Sequence, residues 1–167
     1  MTFWVLIIAQ ASVLAFGLLG GVFLAFSDFI MRSLGGLSGH GGVEAMQIIN
    51  REVFRILFMG LFLLMAPLSV LLIVHGLAWG EDSGALLIAA AGATYLIGAF
   101  LVTVVFNVPL NETLAAMDAE GPATARFWTD AYLPRWTFWN SVRTAACALA
   151  SVLVMTGLIW SAQTPPG

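Results

Sequence analysis

Four short stretches hold most of the amides and charges that could do chemistry in this chain. In the first, Asp28 follows Ser27 at the end of an apolar run. The second, Glu44-Ala-Met-Gln47-Ile-Ile-Asn50-Arg51, reads as a helix on which Gln47, Asn50, Arg51 and Phe54 share one stripe at the 3.6-residue period. The third is Asn107-Val-Pro109-Leu-Asn111-Glu112. Pro109 cannot donate to the carbonyl of Val105, which predicts a kinked or broken helix with free acceptors beside Asn107 and Asn111. The fourth, Trp136-Thr-Phe-Trp139-Asn140-Ser-Val-Arg143, puts Trp136, Asn140 and Arg143 on one face at i, i+4 and i+7. Two readings suit such a gathering. The side chains line a pocket that binds a polar part of a ligand, or they tie helix ends together. An unpaired amide or charge buried there costs several kcal/mol either way, so both readings require the groups to be satisfied.

The elements that must carry these stretches follow from composition. Of 167 residues, 60% are hydrophobic and 9% charged. A soluble domain carries about a quarter charged residues and at most half apolar ones. The chain is too apolar to cover itself with polar surface, and it lacks the basic face a nucleic-acid binder needs. Its solvent partner is the lipid bilayer. A helix needs roughly 20 apolar residues to span the hydrocarbon, since it rises about 1.5 Å per residue and satisfies its own backbone. Four stretches qualify, at about 3–27, 54–75, 84–107 and 137–160. Pro122 and the one-sided grouping of Phe127, Trp128, Ala131 and Tyr132 predict an interfacial helix over about 122–134. The Gly-rich segment Ser33–Gly42 reads as a loop. The expected fold is all-α: a polytopic, single-domain, four-helix transmembrane bundle with an interfacial helix before the last span.

All six arginines lie near the first-to-second and third-to-fourth connections, whereas the second-to-third connection carries only Glu81 and Asp82. The positive-inside rule then puts both arginine-bearing connections in the cytoplasm and both termini outside. Gly17 and Gly21 form a GxxxG pair, read as close helix packing inside the chain ahead of dimerisation. Cys147 is the one cysteine and reads as packing. His40 and His75 are separated by about 20 residues of helix, on the order of 30 Å, so they cannot share an ion, and no metal site is expected.

The stretches Phe26-Ser-Asp28-Phe-Ile-Met31, Ala45-Met-Gln47-Ile-Ile-Asn50-Arg51, Phe106-Asn-Val-Pro-Leu-Asn111 and Trp136-Thr-Phe-Trp139-Asn140-Ser-Val-Arg143 resemble, in this order and over nearly the whole chain, the anthrone oxygenase-like family of small four-helix membrane proteins. The resemblance implies a four-helix membrane fold in a bacterial cytoplasmic membrane. From the family's polyketide-pathway members it also implies oxidation of anthrones to anthraquinones with dioxygen. An anthrone has an acidic C–H, so a base can generate a carbanion that reduces dioxygen with no metal or other cofactor. Such chemistry needs a general base, donors for an anion and an apolar aromatic cavity. Asp28 or Glu112 would be the base. Asn50, Arg51, Asn111, Asn140 and Arg143 would hold the enolate oxygen. Phe54, Trp136 and Trp139 would stack on the ring, with Gln47 and Asn107 completing the wall. The alternative is a non-enzymatic membrane module (a subunit, small-solute carrier or lipid-binding scaffold) whose polar cluster is interhelical glue.

Overall fold

The structure is a computed structural model that describes residues 3–53, 56–80 and 83–163, apart from the side chain of Ile56. The described residues form five helices and no strand. They are α1 (Phe3–Gly35), α2 (Gly41–Glu52), α3 (Ile56–Ala78), α4 (Ser83–Ala115) and α5 (Pro122–Gln163). All except the short α2 are long and apolar enough to cross a bilayer, which makes this a multi-pass membrane protein. The spans are apolar on every face, as a helix between lipid and protein must be. Leu14, Leu18, Leu57 and Ile97 face outward and are more than half exposed.

Lipid supplies no hydrophobic force between helices, so their association rests on close backbone approach. At one end of the bundle Gly84 and Gly157 meet across α4 and α5, where a Cβ on Gly157 would lie 2.7 Å from the Gly84 carbonyl. Gly76 abuts the Ala85 backbone, and a Cβ on Gly92 would lie 2.5 Å from the Ser69 carbonyl. On α1 the close glycines are Gly20, against Cys147, and Gly35, against Leu133. Gly17 and Gly21 have nothing within 4 Å of a Cβ position. The GxxxG pair is therefore not an internal packing surface. It sits one position off the stripe Phe16, Leu19, Gly20 and Phe23 that faces the other helices.

Two further differences from the sequence expectation share one cause. Pro109 neither ends nor breaks its helix, because α4 continues to Ala115. The region expected as an interfacial helix is helical and runs without interruption into the last span, through Pro134. In both places the helix widens to i→i+5 bonding just before the proline, over Thr103–Asn107 and Trp128–Tyr132. Val108 N–H reaches the carbonyl of Thr103, and Leu133 N–H reaches that of Trp128. The added residue shifts the hydrogen-bond register, so the missing proline donor is absorbed without a break. Two further widened segments, Phe26–Ile30 of α1 and Leu96–Leu101 of α4, precede no proline.

α1 and α2 are joined by a tight turn over Gly36–His40, shorter than the Gly-rich segment as a whole. Gly39 has φ of 63°, a left-handed conformation that glycine adopts without penalty. The turn folds α2 back so that Gly42 meets the Leu34 carbonyl and the Trp128 ring. The core has two apolar clusters. One fills the bundle around Phe16, Leu19, Met65, Ile88 and Val154. The other gathers Met31, Met46, Leu114, Trp128, Tyr132 and Trp136 at the arginine-bearing end.

Candidate functional site

A cavity of about 560 Å³ lies at the seam between the two clusters, walled by Phe23 and Phe62 from the first and by Met46 and Trp136 from the second. That size suits a drug-sized molecule. All five helices contribute to the wall. Phe26, Phe58 and Phe100 make it strongly aromatic, and Phe62 stacks on Phe100 with centroids 5.6 Å apart. The polar groups on the wall are Gln47, Asn50 and Arg51 from α2, Thr103, Asn111 and Glu112 from α4, and Asn140 and Arg143 from α5.

Arg143 is the deepest charge, only 6% exposed. Its Nη1 donates to Thr103 Oγ1 at 3.1 Å and its Nη2 to Asn140 Oδ1 at 2.7 Å, while its Nε has no acceptor. The guanidinium lies over the Phe23 ring at 4.4 Å and near Trp136 at 5.2 Å. Asn140, fully buried, donates from Nδ2 to the Phe23 carbonyl and to Ser27 Oγ, each at 2.6 Å. Both of its amide ends are spent. Asn140 thus ties α5 to α1 and also fixes Arg143.

A second network crosses the mouth. Asn111 Oδ1 accepts from Tyr132 OH and from Trp136 Nε1, both at 2.8 Å. Asn50 Nδ2 donates to the same tyrosine oxygen at 3.3 Å, which links α2 to α4 and α5. Gln47 Nε2 donates to the carbonyls of Leu114 and Met117 at 2.9 and 3.0 Å. Leu114 lies in the last turn of α4 and Met117 just beyond its end, and the Leu114 carbonyl also accepts from Met117 N–H at 3.2 Å, so Gln47 caps this turn from α2.

Eight of the residues singled out in the sequence thus share this cavity: Gln47, Asn50, Arg51, Asn111, Glu112, Trp136, Asn140 and Arg143. Asp28 does not. It is exposed and lies outside the wall, because the interior stripe of α1 runs through Phe23, Ser27 and Met31 and leaves it facing away. Asn107 is buried behind the wall and donates to the Trp136 carbonyl at 3.3 Å, with its Oδ1 unpartnered. Trp139 is turned outward and stacks on Phe106 at 3.6 Å. Phe54 lies outside the described residues. Two residues that organise the site escaped the sequence reading. Tyr132 sits four residues before Trp136 on the same stripe, and Thr103 four before Asn107, so helical spacing alone marks them both. Among the described residues no three His, Cys, Asp or Glu side chains come together as a metal site. His40 pairs with Glu44 and Glu120 at 3.5 and 3.8 Å, and His75 packs near Trp79 at the other end of the bundle.

Fold and site together define a small polytopic helical membrane protein with an aromatic, guanidinium-bearing cavity at one end. The profile of the anthrone oxygenase family matches residues 52–153, well over half of the chain, and the chain belongs to that family. The match includes the wall residues of α3, α4 and α5 and stops short of most of α2. No curated protein and no solved structure matches the chain.

Proposed function

We propose that the cavity binds a hydrophobic aromatic or quinone-like molecule with an acidic C–H and oxidises it with dioxygen. The observation that carries this reading is one aromatic-walled space of about 560 Å³ bearing both a carboxylate, Glu112, and a buried guanidinium, Arg143. Among the described residues Glu112, exposed at the edge of its helix, is the one carboxylate on the wall, so it takes the part of the base. It removes a proton from the ring CH₂, and the electron pair delocalises onto the ring carbonyl oxygen as an enolate. Arg143 lies where it can hold that oxygen and lower the cost of the charge. The enolate carbon then gives electrons to dioxygen, and a C–O bond forms to a peroxide anion. A proton returned by Glu112 yields the hydroperoxide, and loss of water leaves a new carbonyl. One dioxygen is consumed and one water released per CH₂ converted to C=O. Phe23, Phe62, Phe100 and Trp136 offer flat surfaces for the ring system.

The arginine-rich connections support a topology with this end in the cytoplasm and both termini outside. A bacterial cytoplasmic membrane is the setting in line with that reading. The second reading, a non-catalytic scaffold, draws on Gln47 and Asn140, whose amides are spent on backbone carbonyls of other helices. Turnover separates the two. Purified protein supplied with an anthrone should consume dioxygen and raise quinone absorbance, and Glu112→Gln should cut the rate by 10²-fold or more, a typical general-base contribution. Folded Glu112→Gln and Arg143→Lys variants that both turn over at the parental rate would refute the oxygenase reading.

A further inference from the structure

A guanidinium is a permanent cation, and moving it out of water costs several kcal/mol unless a counter-charge or full hydrogen bonding compensates. Arg143 is more than nine-tenths buried in a span, and among the described residues no carboxylate forms an ion pair with it. Among the described residues, the groups recorded against its head are neutral: the Thr103 hydroxyl, the Asn140 carbonyl oxygen and two aromatic faces. These orient the cation but bring no negative charge. Its Nε has no acceptor, and the side chain lines the cavity. Asn140 cannot swing away to relieve it, because its amide nitrogen is held by Phe23 and Ser27.

We infer that the cavity is an anion site, whose ligand is an aromatic monoanion (a phenolate, enolate or carboxylate) paired through oxygen with Arg143 and seated against Phe23 and Trp136. The ligand's charge follows from the wall. Among the described residues the wall's charged side chains are Arg51, Glu112 and Arg143, of which Arg51 and Glu112 are exposed to solvent, so the one buried charge is the Arg143 cation, which a single negative charge neutralises. The ligand's body follows from the rings of Phe23, Phe62, Phe100 and Trp136 and from a volume suited to a drug-sized molecule. This deepens the oxygenase reading by naming the charged form that Arg143 holds once Glu112 has taken the proton, and it has a test that needs no turnover.

The test is equilibrium binding without dioxygen, in zwitterionic detergent, of anthracene-9-carboxylate and the nearly isosteric anthracene-9-carboxamide, with protein-free micelles subtracted. The carboxylate should bind about 10- to 100-fold more tightly, the range expected of one charge-assisted hydrogen bond. Arg143→Lys should keep much of that preference and Arg143→Met should abolish it. Equal affinity of the two probes for the parental protein overturns the inference even if Arg143→Met does not fold. Displacement of the carboxylate by phosphatidylglycerol, with the same dependence on Arg143, overturns the aromatic assignment in favour of lipid. Charge-selective binding without anthrone turnover refutes the oxygenase reading alone. Turnover with charge-blind binding refutes this inference alone.

Discussion

Replacing Asn140 with leucine tests the network at its most connected residue. The substitution nearly conserves volume, so packing in the fully buried site changes little while three hydrogen bonds disappear. Two of them join α5 to α1, at the Phe23 carbonyl and the Ser27 hydroxyl. Interhelical bonds of this kind contribute about 0.6 kcal/mol each in membrane proteins. The third is different, because Asn140 Oδ1 accepts from a buried cation at 2.7 Å. Its loss leaves Arg143 with Thr103 as its one remaining hydrogen-bond acceptor among the described residues, at about 2 kcal/mol for a charged donor so stranded. The expected destabilisation is therefore about 3 kcal/mol, a shift of roughly a hundredfold in the unfolding constant. Reversible unfolding of the purified protein in mixed micelles measures it. Because most of the effect runs through the cation, Asn140→Leu placed in an Arg143→Met background should cost about 2 kcal/mol less than in the parental chain. A single-variant cost under about 0.5 kcal/mol, or additive effects in the double variant, would refute the claim that Asn140 holds Arg143.

Other substitutions probe the rest of the frame. Gly157→Ala drives a Cβ to 2.7 Å from the Gly84 carbonyl and 2.8 Å from Ile88, and should destabilise by about 1–3 kcal/mol, whereas Gly17→Ala and Gly21→Ala meet nothing within 4 Å and should leave thermal unfolding in detergent unchanged. Gln47→Leu strips the cap from the end of α4; it should cost about 1 kcal/mol and speed amide hydrogen exchange in α2, and unchanged exchange there would count against the capping role. Asp28→Asn alters an exposed carboxylate outside the wall and should leave anthrone turnover at the parental rate.

The sequence made the spans and the level of the polar cluster legible because both rest on composition and length. An apolar run of more than 20 residues has few fates, and Asn140, Arg143 and Trp136 fall on one face by simple 3.6-residue counting. What the same counting missed lies beside widened turns. Pro109 and Pro134 look like breaks to a rule built on i→i+4 bonding, yet each follows an i→i+5 segment that absorbs it. The outward turn of Trp139 depends on a partner, Phe106, from another helix, which no local period encodes. Asp28 misses the wall for another reason: a place near the end of an apolar run does not say which way a side chain faces. On α1 that direction is set one residue earlier, where Ser27 receives Asn140.

Helix glue and ligand pocket, both open at the level of residue types, can be weighed atom by atom. Asn140 spends both ends of its amide on the Phe23 carbonyl, Ser27 and Arg143, and Gln47 spends its amide nitrogen on the carbonyls of Leu114 and Met117. Asn111 spends its oxygen on Tyr132 and Trp136. These bonds join one helix to another. Arg143 differs because Nε keeps an unspent donor and the side chain a charge that no described carboxylate balances, on the wall of a space large enough for a ligand. A residue placed only to join helices would gain nothing from carrying a charge into a span, since a neutral amide does that work at lower desolvation cost. The glue therefore has a second effect, which is to hold one cation at fixed orientation against an aromatic cavity. Preorganised charge of that kind is what stabilisation of a developing anion requires.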